Sequence, residues 1–168
     1  MLNGYVGDVK GVIVLDNEGQ RIIAKYYNSR GTTFETTTSQ KSFERQIFFK
    51  SSKQSASGRS ASEASRVINQ FENDIMTVDN YVAIFRSYQD FTIFVIGHND
   101  DNELILAQVL DCIHECFETI FMGNIERKSL IDNMSGVILV IDELIDQGVI
   151  MHTDPAIVLA RIRTSKGT

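Results

Sequence analysis

Phe91–Ile96, FTIFVI, is apolar on both faces apart from Thr92. Successive side chains of a strand point to opposite faces, so such a run is at home only where both faces are covered. It predicts the centre of a sheet held between two layers, not an edge. Val9–Leu15 turns from alternating to wholly apolar, with Lys10 its only charge. Asp16-Asn17-Glu18-Gly19 is a turn signal, and Arg21–Tyr27 is β-branched and aromatic. Together these predict a hairpin. Residues 75–79 alternate, Asn80 marks a break, and Tyr81–Arg86 faces Phe91–Ile96 across a turn at Ser87–Asp90.

Between and after these strands the period changes to that of a helix. Phe43, Ile47 and Phe48 predict a helix over Ser39–Lys53. Asn99–Asn102 offers turn and N-cap chemistry, followed by Glu103 in the first turn. Leu106, Val109, Leu110, Ile113, Cys116, Phe117, Ile120 and Phe121 then follow a 3–4 rhythm until Gly123-Asn124. A second amphipathic helix runs through Leu130, Met134, Val137, Ile138, Ile141, Leu144 and Ile145, stopping at Gly148. The single proline, after Asp154, opens a short helix to about Arg163.

Ser51–Ser65 holds seven serines in fifteen residues and reads as a surface loop, with helix resuming over Ala61–Phe71. The order β-β-α-β-β-β-α-α-α predicts one α+β domain over 168 residues. A five-stranded, mostly antiparallel sheet with helices on both faces satisfies every segment.

A formal net charge of −6 argues against nucleic acid and against direct docking on anionic lipid. No stretch approaches the roughly 20 apolar residues that cross a bilayer. The opening MLNGYVGDVKG lacks the basic start and apolar run of a signal peptide, and the end RTSKGT lacks a prenylation box. A cytoplasmic protein is expected.

The chemistry-bearing motifs are few. Gly58 lacks the Lys-Ser/Thr of a phosphate loop, and there is no GxSxG elbow or HExxH pair. In Cys112-Ile-His114-Glu-Cys116 the cysteines share a helix face while His114 points away from both. Cys116 lies on the apolar stripe, so these are read as core thiols. His98 with Asp100 and Asp101, and His152 with Asp154, read as solvated turns and caps. No catalytic residue, metal site or cofactor is expected.

In order and spacing the segments resemble the zeta subunits of the coatomer (COPI) coat, themselves similar to the small sigma subunits of clathrin adaptor complexes. The residues that carry this are VKGVIVLDNEGQRIIAKYY at Val9–Tyr27, Phe91–Gly97 and NELILAQVLDCIHECFETIF at Asn102–Phe121. KSLIDNMSGVILVIDELIDQGVIMHTDP at Lys128–Pro155 completes the set. The resemblance implies a longin-like fold and no enzymatic activity. It implies a small subunit held by the large gamma subunit, alongside the beta and delta subunits. An Arf-type GTPase would bring that coat to Golgi membranes for retrograde and intra-Golgi transport. The rival readings are another longin-type trafficking protein, such as a SNARE head or a tethering subunit, and a small enzyme built on the Cys–His segment or the His98 turn.

For partner contact the candidates are aromatic side chains beyond what the core needs: Tyr26, Tyr27, Phe48, Phe49 and Tyr88. Tyr26 and Tyr27 are adjacent on a strand, so they face opposite ways, and one is expected outside the core.

Overall fold

A computed structural model describes residues 8–28, 30–58 and 73–166. Strands β1 (Gly11–Asp16) and β2 (Arg21–Tyr26) form the first hairpin, followed by helix α1 (Thr37–Gly58). Strands β3 (Asp74–Val78), β4 (Tyr81–Ser87) and β5 (Phe91–His98) form a meander. The sheet order is β2-β1-β5-β4-β3, and every neighbouring pair is antiparallel. β5 therefore lies in the middle, where its two-sided apolar sequence requires it.

Alternation divides the buried side chains into two cores. Val12, Val14, Ile23, Val82, Ile84, Phe91, Ile93 and Val95 face the C-terminal helices. Ile13, Leu15, Met76, Val78, Ala83, Phe85, Phe94 and Ile96 face Phe43 and Ile47 of α1, with Phe34 filling the gap before that helix. Each fully buried aliphatic or aromatic side chain contributes roughly 1.5–3 kcal/mol, so both layers are needed to hold the sheet.

On the first face lies α2 (Glu103–Ile120), whose N-cap Asn102 accepts from the Leu104 amide. Met122 (φ 54°) and Gly123 (φ 80°) end it, and the Gly123 amide reaches back to the Glu118 carbonyl at 2.8 Å. Beyond it come α3 (Arg127–Asp132), α4 (Met134–Leu144), a two-stranded ribbon of β6 (Ile145–Asp146) and β7 (Val149–Ile150), and α5 (Pro155–Lys166).

Three expectations need correction. The single helix expected to end at Gly148 is broken at Asn133, whose Nδ2 donates to the Ser129 carbonyl at 2.8 Å. It closes at Leu144, and Ile145 already belongs to a strand. The cause is the two-residue turn Gln147-Gly148, both at positive φ (50° and 90°), which favours a hairpin over another helical turn. The serine-rich loop begins later than expected, because α1 continues to Gly58. There the Ser51 and Ser52 hydroxyls donate back to the Phe48 carbonyl at 3.0 and 2.8 Å, within the helix. The rest of that stretch and the helix expected over Ala61–Phe71 lie outside the described residues. The last helix runs to Lys166, past Arg163.

Candidate partner-binding surface

The five aromatic candidates fall on different parts of the molecule. Tyr26 lies on the α1 side of β2, half-buried, its ring 4.8 Å from that of Phe34. Its hydroxyl donates to Glu44 Oε1 at 3.0 Å. Burial, and then the Glu44 carboxylate, hold the phenol well above its ordinary range. Tyr27 points to the opposite face and is 9% exposed. Its hydroxyl has no hydrogen-bond partner among the described residues. Both faces of the sheet are covered, so neither of the adjacent tyrosines stands outside the core as expected.

Tyr88 stacks between Phe91 (4.8 Å between centroids) and His114 (5.8 Å), and its hydroxyl meets His114 Nδ1 at 2.7 Å. Burial pushes the phenol up to about 12. Phe48 is half-buried and lies over the first turn, occupying the space where a Cβ on Gly19 would come within 2.8 Å of its ring. Only Phe49 is largely free: it is 61% exposed, with Lys53 Nζ 4.5 Å above its ring.

Phe48 and Phe49 line a groove of about 730 Å³ between α1 and the β1–β2 turn, together with Arg21, Lys41, Glu44 and Arg45. Its floor is rigid. Glu44, only 4% exposed, accepts from Arg21 Nε at 2.9 Å and Nη2 at 2.6 Å. Lys41 and Arg45 stand one helical turn apart, exposed and with no ion pair or hydrogen bond among the described residues. Helical spacing makes that basic pair legible in the sequence. The Arg21–Glu44 join is not, since it links residues 23 apart across two elements.

The chemistry-bearing clusters behave as structure. Cys112 and Cys116 are both buried and free. Their mutual hydrogen bond, and then burial, hold the Cys112 thiol far up, so it stays protonated. The Asp101 carboxylate caps the His98 amide at 2.8 Å, and Asp154 accepts from the Ala156 amide at 2.9 Å as a helix cap. Among the described residues no group of three or more His, Cys, Asp and Glu could hold a metal ion. None of their helices is long and apolar enough to cross a membrane.

Comparison with known proteins agrees with this fold. A family model described as clathrin adaptor complex small chain matches residues 8–167. Coatomer subunit zeta-1 of Homo sapiens and that of Bos taurus are each 32% identical over 154 residues, covering 92% of this chain and 76% of theirs. Coatomer subunit zeta-2 of Arabidopsis thaliana is 31% identical over 154 residues, covering 92% and 77%. A chain in a homology model of the full-length AP-3 complex in a stretched open conformation superposes with a TM-score of 0.63 over 95% of this chain and 94% of that one. At 17% identity that last match is one of fold, and the fold is longin-like. With sequence similarity running through both layers and the sheet between them, the chain belongs to the clathrin adaptor complex small chain family, as a coat adaptor-like subunit similar to the coatomer zeta subunits.

Proposed function

We propose that this chain is the small, non-enzymatic subunit of a COPI-type vesicle coat. In this reading it is held by a large solenoid subunit corresponding to coatomer gamma. The observation that carries it is the 32% identity to coatomer zeta-1 spread over 92% of the chain, rather than confined to one motif. The gamma subunit is the direct partner, and the beta and delta subunits complete the adaptor-like assembly. A net charge of −6 fits a chain carried to Golgi membranes by its partners and an Arf-type GTPase, not by its own affinity for anionic lipid. Its work is Golgi-to-ER retrograde and intra-Golgi transport, and it supplies shape, not chemistry. Phe49, with Phe48 beside it, is the aromatic contact offered to the large subunit. A tagged chain is expected to recover one large solenoid subunit in stoichiometric amount from eukaryotic cytosol, with the remaining coat subunits. A chain that elutes alone at 18.9 kDa, with no large partner, overturns the reading.

A further inference from the structure

The five-stranded sheet treats its two edges differently. At β3 the carbonyls of Ile75 and Thr77 accept from Gln54 Nε2 at 3.1 Å and Lys50 Nζ at 2.9 Å, side chains one turn apart on α1. That edge is closed by the chain's own helix. At β2 the Tyr27 amide donates to the Lys10 carbonyl at 3.0 Å, and the register holds unbroken from Gly11↔Tyr26 to Val14↔Ile23. Antiparallel alternation then turns the N–H and C=O of Ile23 and Lys25 toward β1, and those of Ala24 and Tyr26 away from it. The outward groups of Ala24 and Tyr26 have no partner among the described residues.

Edge strands are ordinarily guarded by charged side chains held over the rim. Here both charged residues of β2 are drawn off it, to opposite faces. Arg21 is bound to Glu44 of α1, and Lys25 to Asp142 of α4. Between them stands Ala24, whose side chain is a lone methyl group and brings no charge to the rim. The register shift between Val14 and Leu15 places the extra residue, Ile22, in β2 and ends the regular edge there. What remains is a short, uncharged row of alternating main-chain donors and acceptors, which an extended backbone matches group for group.

We propose that the β2 edge receives an extended segment of the large coat subunit, added as a further strand on Ala24 and Tyr26. The inference rests on the coat-subunit reading above. A second copy of this chain is disfavoured as occupant, because pairing would bring another body of net charge −6 against the first.

The test is hydrogen–deuterium exchange at single-amide resolution, on the free chain and on its purified complex with the large subunit. The Ala24 and Tyr26 amides should slow by about tenfold or more in the complex, while the β3 amides keep their free-chain rates. Ala24→Pro removes one outward donor and leaves the β1 ladder intact. It is expected to weaken the complex by about tenfold, as the loss of one strand hydrogen bond implies, with the free chain still folded by circular dichroism. The exchange result stands alone if that variant misfolds. A complex in which both amides exchange at the free-chain rate overturns the proposal and leaves the coat reading intact. Amides already slow in the free chain, or slowed by self-association, overturn it too, since the edge is then filled by this chain itself. Failure of any complex to form sinks the coat reading, and this inference with it.

Discussion

Replacing Glu44 with Gln probes the join between α1 and the first hairpin. The carboxylate is 4% exposed and accepts from Arg21 Nε, Arg21 Nη2 and the Tyr26 hydroxyl at 2.9, 2.6 and 3.0 Å. Breaking a buried pair by removing one partner costs about 3–5 kcal/mol when the survivor is left dry. The Arg21 side chain is 30% exposed, so its guanidinium regains part of its hydration. Gln keeps the shape and one acceptor oxygen. The loss should therefore sit near 2 kcal/mol, within the range for hydrogen bonds to charged groups. For a domain of this length that corresponds to a fall in Tm of about 4–8 °C. Urea unfolding followed by circular dichroism at pH 7 measures it. Tyr26→Phe, alone and combined with Glu44→Gln, should show coupling, because both variants break the same network. Removing the Glu44 charge should also lower the Tyr26 phenol toward its ordinary range, since that charge is the second cause of its elevation. A Glu44→Gln loss below about 0.5 kcal/mol would refute the reasoning, placing this ion pair with surface pairs that contribute almost nothing.

Tyr27→Phe removes a buried hydroxyl with no partner among the described residues, a group that costs roughly 1–3 kcal/mol when left unsatisfied. Its urea midpoint should hold or rise, and a fall would show that the hydroxyl is bonded. Gly148→Ala should lose more than about 1 kcal/mol. Its φ is +90°, and the new Cβ would come within 2.9 Å of the Val9 carbonyl oxygen. A Tm unchanged from the parent would contradict the turn geometry. Burial, then the nearby Arg86, hold His114 below its ordinary value. Around it stand Tyr88 at 2.7 Å, Glu118 at 3.6 Å, and the Asp111 and Glu115 carboxylates. The unfolded chain therefore takes up its proton first, near pH 6.5. Stability from this group is fully present above that pH and falls as the pH drops through the window below it. Denaturation midpoints from pH 7.5 to 5.5 should slope less in His114→Gln than in the parent.

The strands and the start of α2 were legible because single residues announce them: two-sided FTIFVI, the Asp16–Gly19 turn, and Asn102 ahead of an apolar stripe. The break at Asn133 was not. Its neighbours keep the helical period on both sides, so the pattern runs straight through the interruption. The helical serines after Lys50 were missed for a related reason. Their low hydrophobicity reads as loop, while the hydrogen bonds of Ser51 and Ser52 to Phe48 are satisfied inside a helix. The surface was least legible. Whether Tyr27 is core and Phe49 is free depends on what covers each: Tyr27 packs in the cluster of the C-terminal helices, while Phe49 stands exposed on α1. The uncharged rim of β2 depends on Glu44 and Asp142, which lie 23 residues from Arg21 and 117 from Lys25.

β1 and β5 bury side chains on both faces. In a half-solvated sheet a one-residue slip would turn the apolar set out to water. Here the slip exchanges one buried face for the other, so burial discriminates weakly between registers. The information that selects among them sits in the connections. Asp16 Oδ1 accepts from both the Glu18 and Gln20 amides at 2.9 Å, and the Tyr88 amide closes on the Phe91 carbonyl at 2.8 Å. The landscape this implies has competing compact states that differ by one residue of pairing, and tight turns that prune them early. Asp16 thus helps to choose the register of the sheet as well as to hold the turn.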